Sequence, residues 1–281
     1  MDDMASLLLL GLAPVFVGCV AWEAWALRGR GKYTLVDTVS NASLALLHQV
    51  SDGLFNVLVA TLAYTFFHQH RLFDLSLTPW TILLLFLLQD FFYYWFHRGS
   101  HMIRWMWASH VTHHSSERLN LSTAFRQSFT YPVSGMWLFW VPLAWIGFTP
   151  QQVIVVVGLN LAYQFFVHTE VVRRLPRPLE YLFNTPSHHR VHHARNPRYI
   201  DRNFGGVLII WDRLFGTFEP ERDDEPCEYG ITRQIHSHNP FTLTLHEWRD
   251  MLSDARHSGS PGKAIRTLFG KPPAHQPSRR D

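Results

Sequence analysis

Five stretches of mostly apolar residues dominate the chain: Met4 to Leu27, Ala42 to Phe67, Trp80 to Phe96, Phe129 to Phe148 and Gln152 to Val167. Each approaches the roughly 20 residues that a helix needs to cross a bilayer. The chain is apolar over about its first 170 residues and polar after that, a split that reads as a membrane protein. Its 281 residues are 47% hydrophobic and 17% charged, which excludes a disordered chain. Cys19 and Cys227 stand far apart, so neither a disulfide framework nor a thiolate metal site is indicated.

Basic residues orient the spans. Arg28, Arg30 and Lys32 follow the first, Arg98, Arg104, Arg118 and Arg126 the third, and Arg173, Arg174 and Arg177 the fifth, whereas the intervening loops hold only Arg71. An excess of Lys and Arg marks cytoplasmic loops. The expected topology puts the N-terminus outside and residues 97–128 and 168–281 in the cytoplasm, with residues 129–167 as two spans or as a hairpin that does not fully cross. The membrane would be of the bacterial inner or endoplasmic reticulum type. The first stretch begins Met1-Asp2-Asp3 and lacks a small-x-small cleavage pattern, so it is expected to stay in the mature protein. A net charge of +3 sits in loops beside apolar spans rather than along one polar face, which argues against nucleic acid as a partner.

Ten of the 18 histidines fall between residues 97 and 193, as His97-x3-His101, His110-x2-His113-His114, a lone His168, and His188-His189-x2-His192-His193. Residues three and four apart share a helix face, so each group can aim several imidazoles at one point. Isolated histidines are more often hydrogen-bonded interface residues, and His48, His68, His70, His236, His238, His246, His257 and His275 are read that way. Imidazole suits Zn, Cu, Fe and Ni. One tetrahedral zinc takes four ligands, so eight or nine histidines imply two metals. No His-Glu-x-x-His motif is present, and haem held by a histidine pair would leave most of these residues unexplained.

The runs Asp90-Phe-Phe-Tyr-Tyr-Trp-Phe-His97-Arg-Gly-Ser-His101, Trp107-Ala-Ser-His110-Val-Thr-His113-His114, with Glu117 and Asn120, and Thr185-Pro-Ser-His-His189-Arg-Val-His192-His193-Ala-Arg-Asn196 resemble the fatty acid hydroxylase and sterol desaturase superfamily of membrane di-iron oxygenases. Within it the alkylglycerol monooxygenase branch and its short bacterial relatives are most similar. The resemblance runs from about residue 80 to 220, taking in Asp201-Arg-Asn203-Phe-Gly-Gly206 and Trp211-Asp-Arg-Leu-Phe-Gly216. It implies two iron ions held by His97, His101, His110, His113, His114, His189, His192 and His193, with His168 as an additional ligand and His188 beside them. Met102 stands where that branch carries an acidic residue, and the chain ends at Asp281, short of the further spans of the branch's animal members. Ether cleavage and a pterin electron donor therefore stay open.

Asp90 lies two helical turns before His97 near the end of a span, where a carboxylate is costly and usually functional. It is expected either to orient His97 or a neighbouring ligand or to make a helix–helix hydrogen bond. The aromatic run Phe91 to Phe96 reads as interface belt and packing.

The expected fold is all-α, an integral-membrane helical bundle with a cytoplasmic histidine-rich metal-binding cap. It divides into N-terminal spans (1–79), a catalytic region (80–220) and a C-terminal cytoplasmic segment (221–281) that becomes a mobile tail from Asp254. The expected function is a lipid hydroxylase or desaturase that uses dioxygen and two electrons from a separate donor, since no haem, flavin or dinucleotide motif is present. A metal-dependent membrane hydrolase and a non-catalytic metal carrier are the alternatives.

Overall fold

The computed structural model describes residues 2–273, and of residues 2–10 only the backbone. Among the described residues thirteen α-helices form in chain order: α1 (Asp2–Ala26), α2 (Leu35–Phe55), α3 (Thr61–Gln69), α4 (Pro79–Met102), α5 (Arg104–His114), α6 (Tyr131–Ser134), α7 (Val141–Ile146), α8 (Pro150–Val167), α9 (Arg177–Leu182), α10 (Pro186–His192), α11 (Ile210–Leu214), α12 (Pro240–Arg256) and α13 (Pro261–Phe269). Among the described residues no strand forms beyond isolated bridges such as Phe183 with Leu208.

Local chemistry explains where the long helices start. Thr78 accepts a hydrogen bond from the Thr81 amide, Thr81 Oγ1 accepts one from the Thr78 amide, and Pro79 occupies the first helical position of α4. Thr149, Gln152 and Pro150 repeat the device at α8. A reciprocal cap satisfies two of the amides that a helix start leaves orphaned, and proline sacrifices none that was needed.

One π-helical turn, Asn56–Ala60, joins α2 to α3 into a helical stretch over residues 35–69. This stretch and α8 are long and apolar enough to cross a membrane. Leu46, Val50, Leu54, Leu58, Leu62 and Phe66 form an exposed stripe down the first of them. An apolar surface of that length marks contact with another apolar phase.

The fourth apolar stretch departs from expectation. Residues 129–148 make no continuous helix: α6 ends at Gly135 (φ +84°), a 3₁₀ turn spans Met136–Phe139, and α7 ends at Gly147 (φ +146°). Pro132 and Pro142 each sit near a helix start. These pieces fold back into the core, where Tyr131, Trp140, Leu143 and Phe148 pack with Tyr93, Phe96 and Val153.

The C-terminal segment also departs from expectation. Instead of a tail beginning at Asp254, α12 runs to Arg256 and α13 follows. Trp248 and Met251 of α12 pack on Ala108 of α5, and Phe269 stacks on Trp105. Arg104 binds Glu247 and Asp254 at 2.7 and 2.8 Å. Residues 274–281, with His275, lie outside the described residues.

Candidate metal centre

Four helix ends converge. The last two turns of α4 carry His97 and His101, and Ile103, in extended conformation, breaks the helix so that α5 returns with His110, His113 and His114. His168 closes α8, and α10 brings His189 and His192, with His193 as its C-cap. All nine rings are buried, none more than 7% exposed.

They divide into two groups. His97, His101, His110, His114 and His192 form one, and His113, His168, His189 and His193 the other, with the ligand atoms of each group within 4.8 Å of one another. In the first, His110 Nε2 lies 3.1 Å from His97 Nε2 and 3.2 Å from His114 Nε2. In the second, His168 Nε2 is 3.1 Å from His113 Nε2 and 2.9 Å from His189 Nε2, which in turn is 3.1 Å from His193 Nε2.

The opposite ring nitrogens fix what these Nε2 atoms can be. Nδ1 of His97 donates to the Phe204 carbonyl (2.9 Å), that of His192 to Arg202 (2.9 Å), that of His113 to Arg126 (3.3 Å) and that of His168 to Gln164 (2.7 Å). A carbonyl only accepts, so each of these Nδ1 atoms carries the proton and a neutral ring leaves a bare lone pair at Nε2. His113 and His168 thus aim two lone pairs at each other with no hydrogen between them. The Nε2 atoms of His101 and His192 are buried without any partner. His110 Nδ1 meets the Tyr131 hydroxyl at 2.7 Å, and His101 Nδ1 faces Asp201 at 3.5 Å.

Burial, and after it the neighbouring imidazoles, hold His97, His110, His113, His114, His189, His192 and His193 well below the ordinary histidine pKa. Burial alone takes His168 down to about 4, against the opposing bond to Gln164. Low pKa values keep the rings neutral, the form that binds a metal.

Asp90 bonds none of the imidazoles. Its two oxygens accept from Asn160 Nδ2, the amides of Val207 and Leu208, and Trp211 Nε1, at 2.8 to 3.0 Å. It anchors the loop whose Phe204 carbonyl orients His97, so its influence on the ligands is indirect. His188 is likewise outside both groups, its Nε2 3.1 Å from Glu180 and its ring against Phe218. Of the histidines given no role, His48 bonds the Ser128 carbonyl and His70 the Phe66 carbonyl, and neither joins a group.

Several residues at the site were given no role there from the sequence. Arg126, fully buried, donates to the Thr112 carbonyl and Ser115 at the end of α5 and to Asp37 and Asn41 on α2. Glu23 reaches in from α1. A cavity of about 940 Å³ opens beside His101, His114 and His192, walled by charged residues such as Arg104, Asp201 and Asp250.

A family model described as fatty acid hydroxylase matches residues 82–217, the segment that contains every one of these imidazoles. The chain is 44% identical over 238 residues to alkylglycerol monooxygenase of Homo sapiens, covering 83% of this chain and 52% of that protein. It is 45% identical over 224 residues to the protein of the same name from Xenopus tropicalis (79% and 49%). Ornithine lipid hydroxylase OlsE of Rhizobium tropici is 30% identical over 184 residues (64% and 55%). The chain thus spans about half the length of the curated relatives it matches. No solved structure matches it. With the histidine-bearing segment matched from one side of the centre to the other, residues 82–217 form a fatty acid hydroxylase domain.

Proposed function

We propose that the chain is a membrane-embedded oxygenase that hydroxylates a lipid, with two iron ions held by the nine imidazoles, five around one and four around the other. The observation that carries the metal reading is the His113–His168 contact, in which two lone pairs at 3.1 Å are tolerable only where the two rings share a cation. All-nitrogen donor sets suit iron as well as zinc or copper; the family resemblance favours iron. Bound there, iron supplies the one-electron chemistry by which dioxygen and two external electrons oxidise an unactivated C–H bond.

The chain's own residues do the rest. Backbone carbonyls at 126, 164, 202 and 204 set the tautomers, so every ring they hold presents Nε2 inward. Tyr93, Phe96, Tyr131 and Trp140 wall the side facing the apolar core and exclude water there. On this reading the alkyl chain approaches from that side. The relatives' names specify an alkylglycerol and an ornithine lipid, each a polar head on an alkyl chain. By the basic-loop pattern the centre faces the cytoplasm, and the electrons come from a separate donor.

Metal analysis of the purified protein with His192→Ala and with His68→Ala tests the site. Removing His192 lowers bound metal and His68 leaves it unchanged; full metal and activity in the His192 variant refute the assignment. For the reaction, lipids from cells supplied with labelled dioxygen gain one labelled oxygen, and the gain is lost in a His113→Ala, His114→Ala variant. A loss of two hydrogens instead means desaturation, and turnover without oxygen means a hydrolase.

A further inference from the structure

One short turn touches three of the five rings in the first group. The Arg202 carbonyl accepts from His192, the Phe204 carbonyl accepts from His97, and the Asp201 carboxylate faces His101. The backbone is bent for this: Asp201 and Asn203 are left-handed, at φ +58° and +57°. That conformation is uncommon outside glycine, with Asn and Asp the residues that tolerate it best. Asn203 holds the bend, donating to the carbonyls of His188 and Glu219 and accepting from the Glu219 amide.

Building on the metal reading above, we propose that the Asp201–Phe204 turn is the cradle that sets the tautomers of three rings of the five-histidine group, His97, His101 and His192, and that Asp201 is the positioning residue for His101. Asp201 is the cradle's one side-chain member, and the one anionic acceptor among the Nδ1 partners seen in either group. Oδ1 lies 3.5 Å from His101 Nδ1, leaving His101 Nε2 unpartnered and directed inward, while Oδ2 is 3.0 Å from Lys271 Nζ. A carboxylate behind a ligand imidazole fixes the ring and raises its basicity more than a carbonyl does. His101 is therefore the strongest donor of its group. Lys271 holds the carboxylate from the far side, and the adjoining Gly270 carbonyl accepts from the Arg104 amide at 2.9 Å.

Asp201→Asn tests this, because asparagine keeps the shape and the left-handed backbone and removes the charge. The probe is cobalt(II), titrated against a chelator into metal-stripped protein and followed by its visible absorption. The parent takes up two cobalt ions. In Asp201→Asn, affinity for one of the two falls about 10- to 100-fold, the absorption of that ion shifts, and the melting temperature of the metal-free protein stays with the parent. Lys271→Met gives a smaller loss at the same ion, and the double variant is no worse than Asp201→Asn. Parental affinity and spectrum in Asp201→Asn overturn the inference. So does an identical effect of Lys271→Met in every readout, which would make Asp201 a mere anchor for the C-terminal segment. A parent that takes up no cobalt overturns the metal reading itself and this inference with it.

Discussion

The Glu23 side chain is wholly buried in a helix that is otherwise nearly all apolar, and it ties three distant parts of the chain together. It accepts from the Tyr33 hydroxyl at 2.5 Å, from the Leu121 amide at 2.6 Å and from the hydroxyl of Thr169, the residue next to His168. A buried acceptor removed without replacement leaves its donors unsatisfied, at about 1–3 kcal/mol. Glu23→Ala is therefore expected to lower the melting temperature of the detergent-solubilised protein clearly; an unchanged temperature would mean that α1 is held by apolar packing alone. The residue was findable in the sequence, since a lone acid inside an apolar span is costly enough to be a functional or structural signal on its own. Tyr131 was not, because nothing about an aromatic in an apolar run says that its hydroxyl will meet His110.

At the scale of elements, the spacing of the histidines foretold that they would converge but not how they would divide. His113 and His114 are neighbours on α5 yet serve different groups, and so do His192 and His193 at the end of α10. Successive helical residues point about 100° apart, so each pair straddles the line between the groups, and only the packing of α4, α8 and α10 decides which side each ring joins. The orienting carbonyls of Arg202 and Phe204 lie in the Asp201–Gly206 run that the resemblance covers, but a backbone carbonyl's role cannot be read from its side chain. The broken fourth stretch was more legible than the expectation allowed, because Pro132, Gly135, Pro142 and Gly147 punctuate it. Gly206 marks the other critical approach. A Cβ there would stand 2.7 Å from Tyr93, 2.8 Å from Asn160 and 3.0 Å from Asp90. Overpacking of that kind costs about 1–3 kcal/mol, and it would push the 204–208 loop off α4. Gly206→Ala should lose metal as well as stability, measured by metal content and melting temperature together; full metal in a destabilised variant would show that the loop and the His97 ring move independently.

The whole molecule should respond to pH through its buried rings. In an unfolded chain His168 takes a proton near 6.5, while in the fold burial holds it down to about 4. Between those values the unfolded chain binds more protons, so stability falls as pH falls through that window, by about 1.4 kcal/mol for each unit of separation. Seven other rings of the centre are shifted the same way. The melting temperature of metal-free protein should accordingly drop between pH 7 and pH 5, and a flat profile would mean that water reaches the rings. The two halves of the centre also stand differently toward the outside. The charged cavity touches His101, His114 and His192, all of the five-histidine group, and none of the other four. On the proposed metal reading, anything that arrives through that cavity meets the five-histidine group first, so the two positions stand to it as a queue rather than a pair.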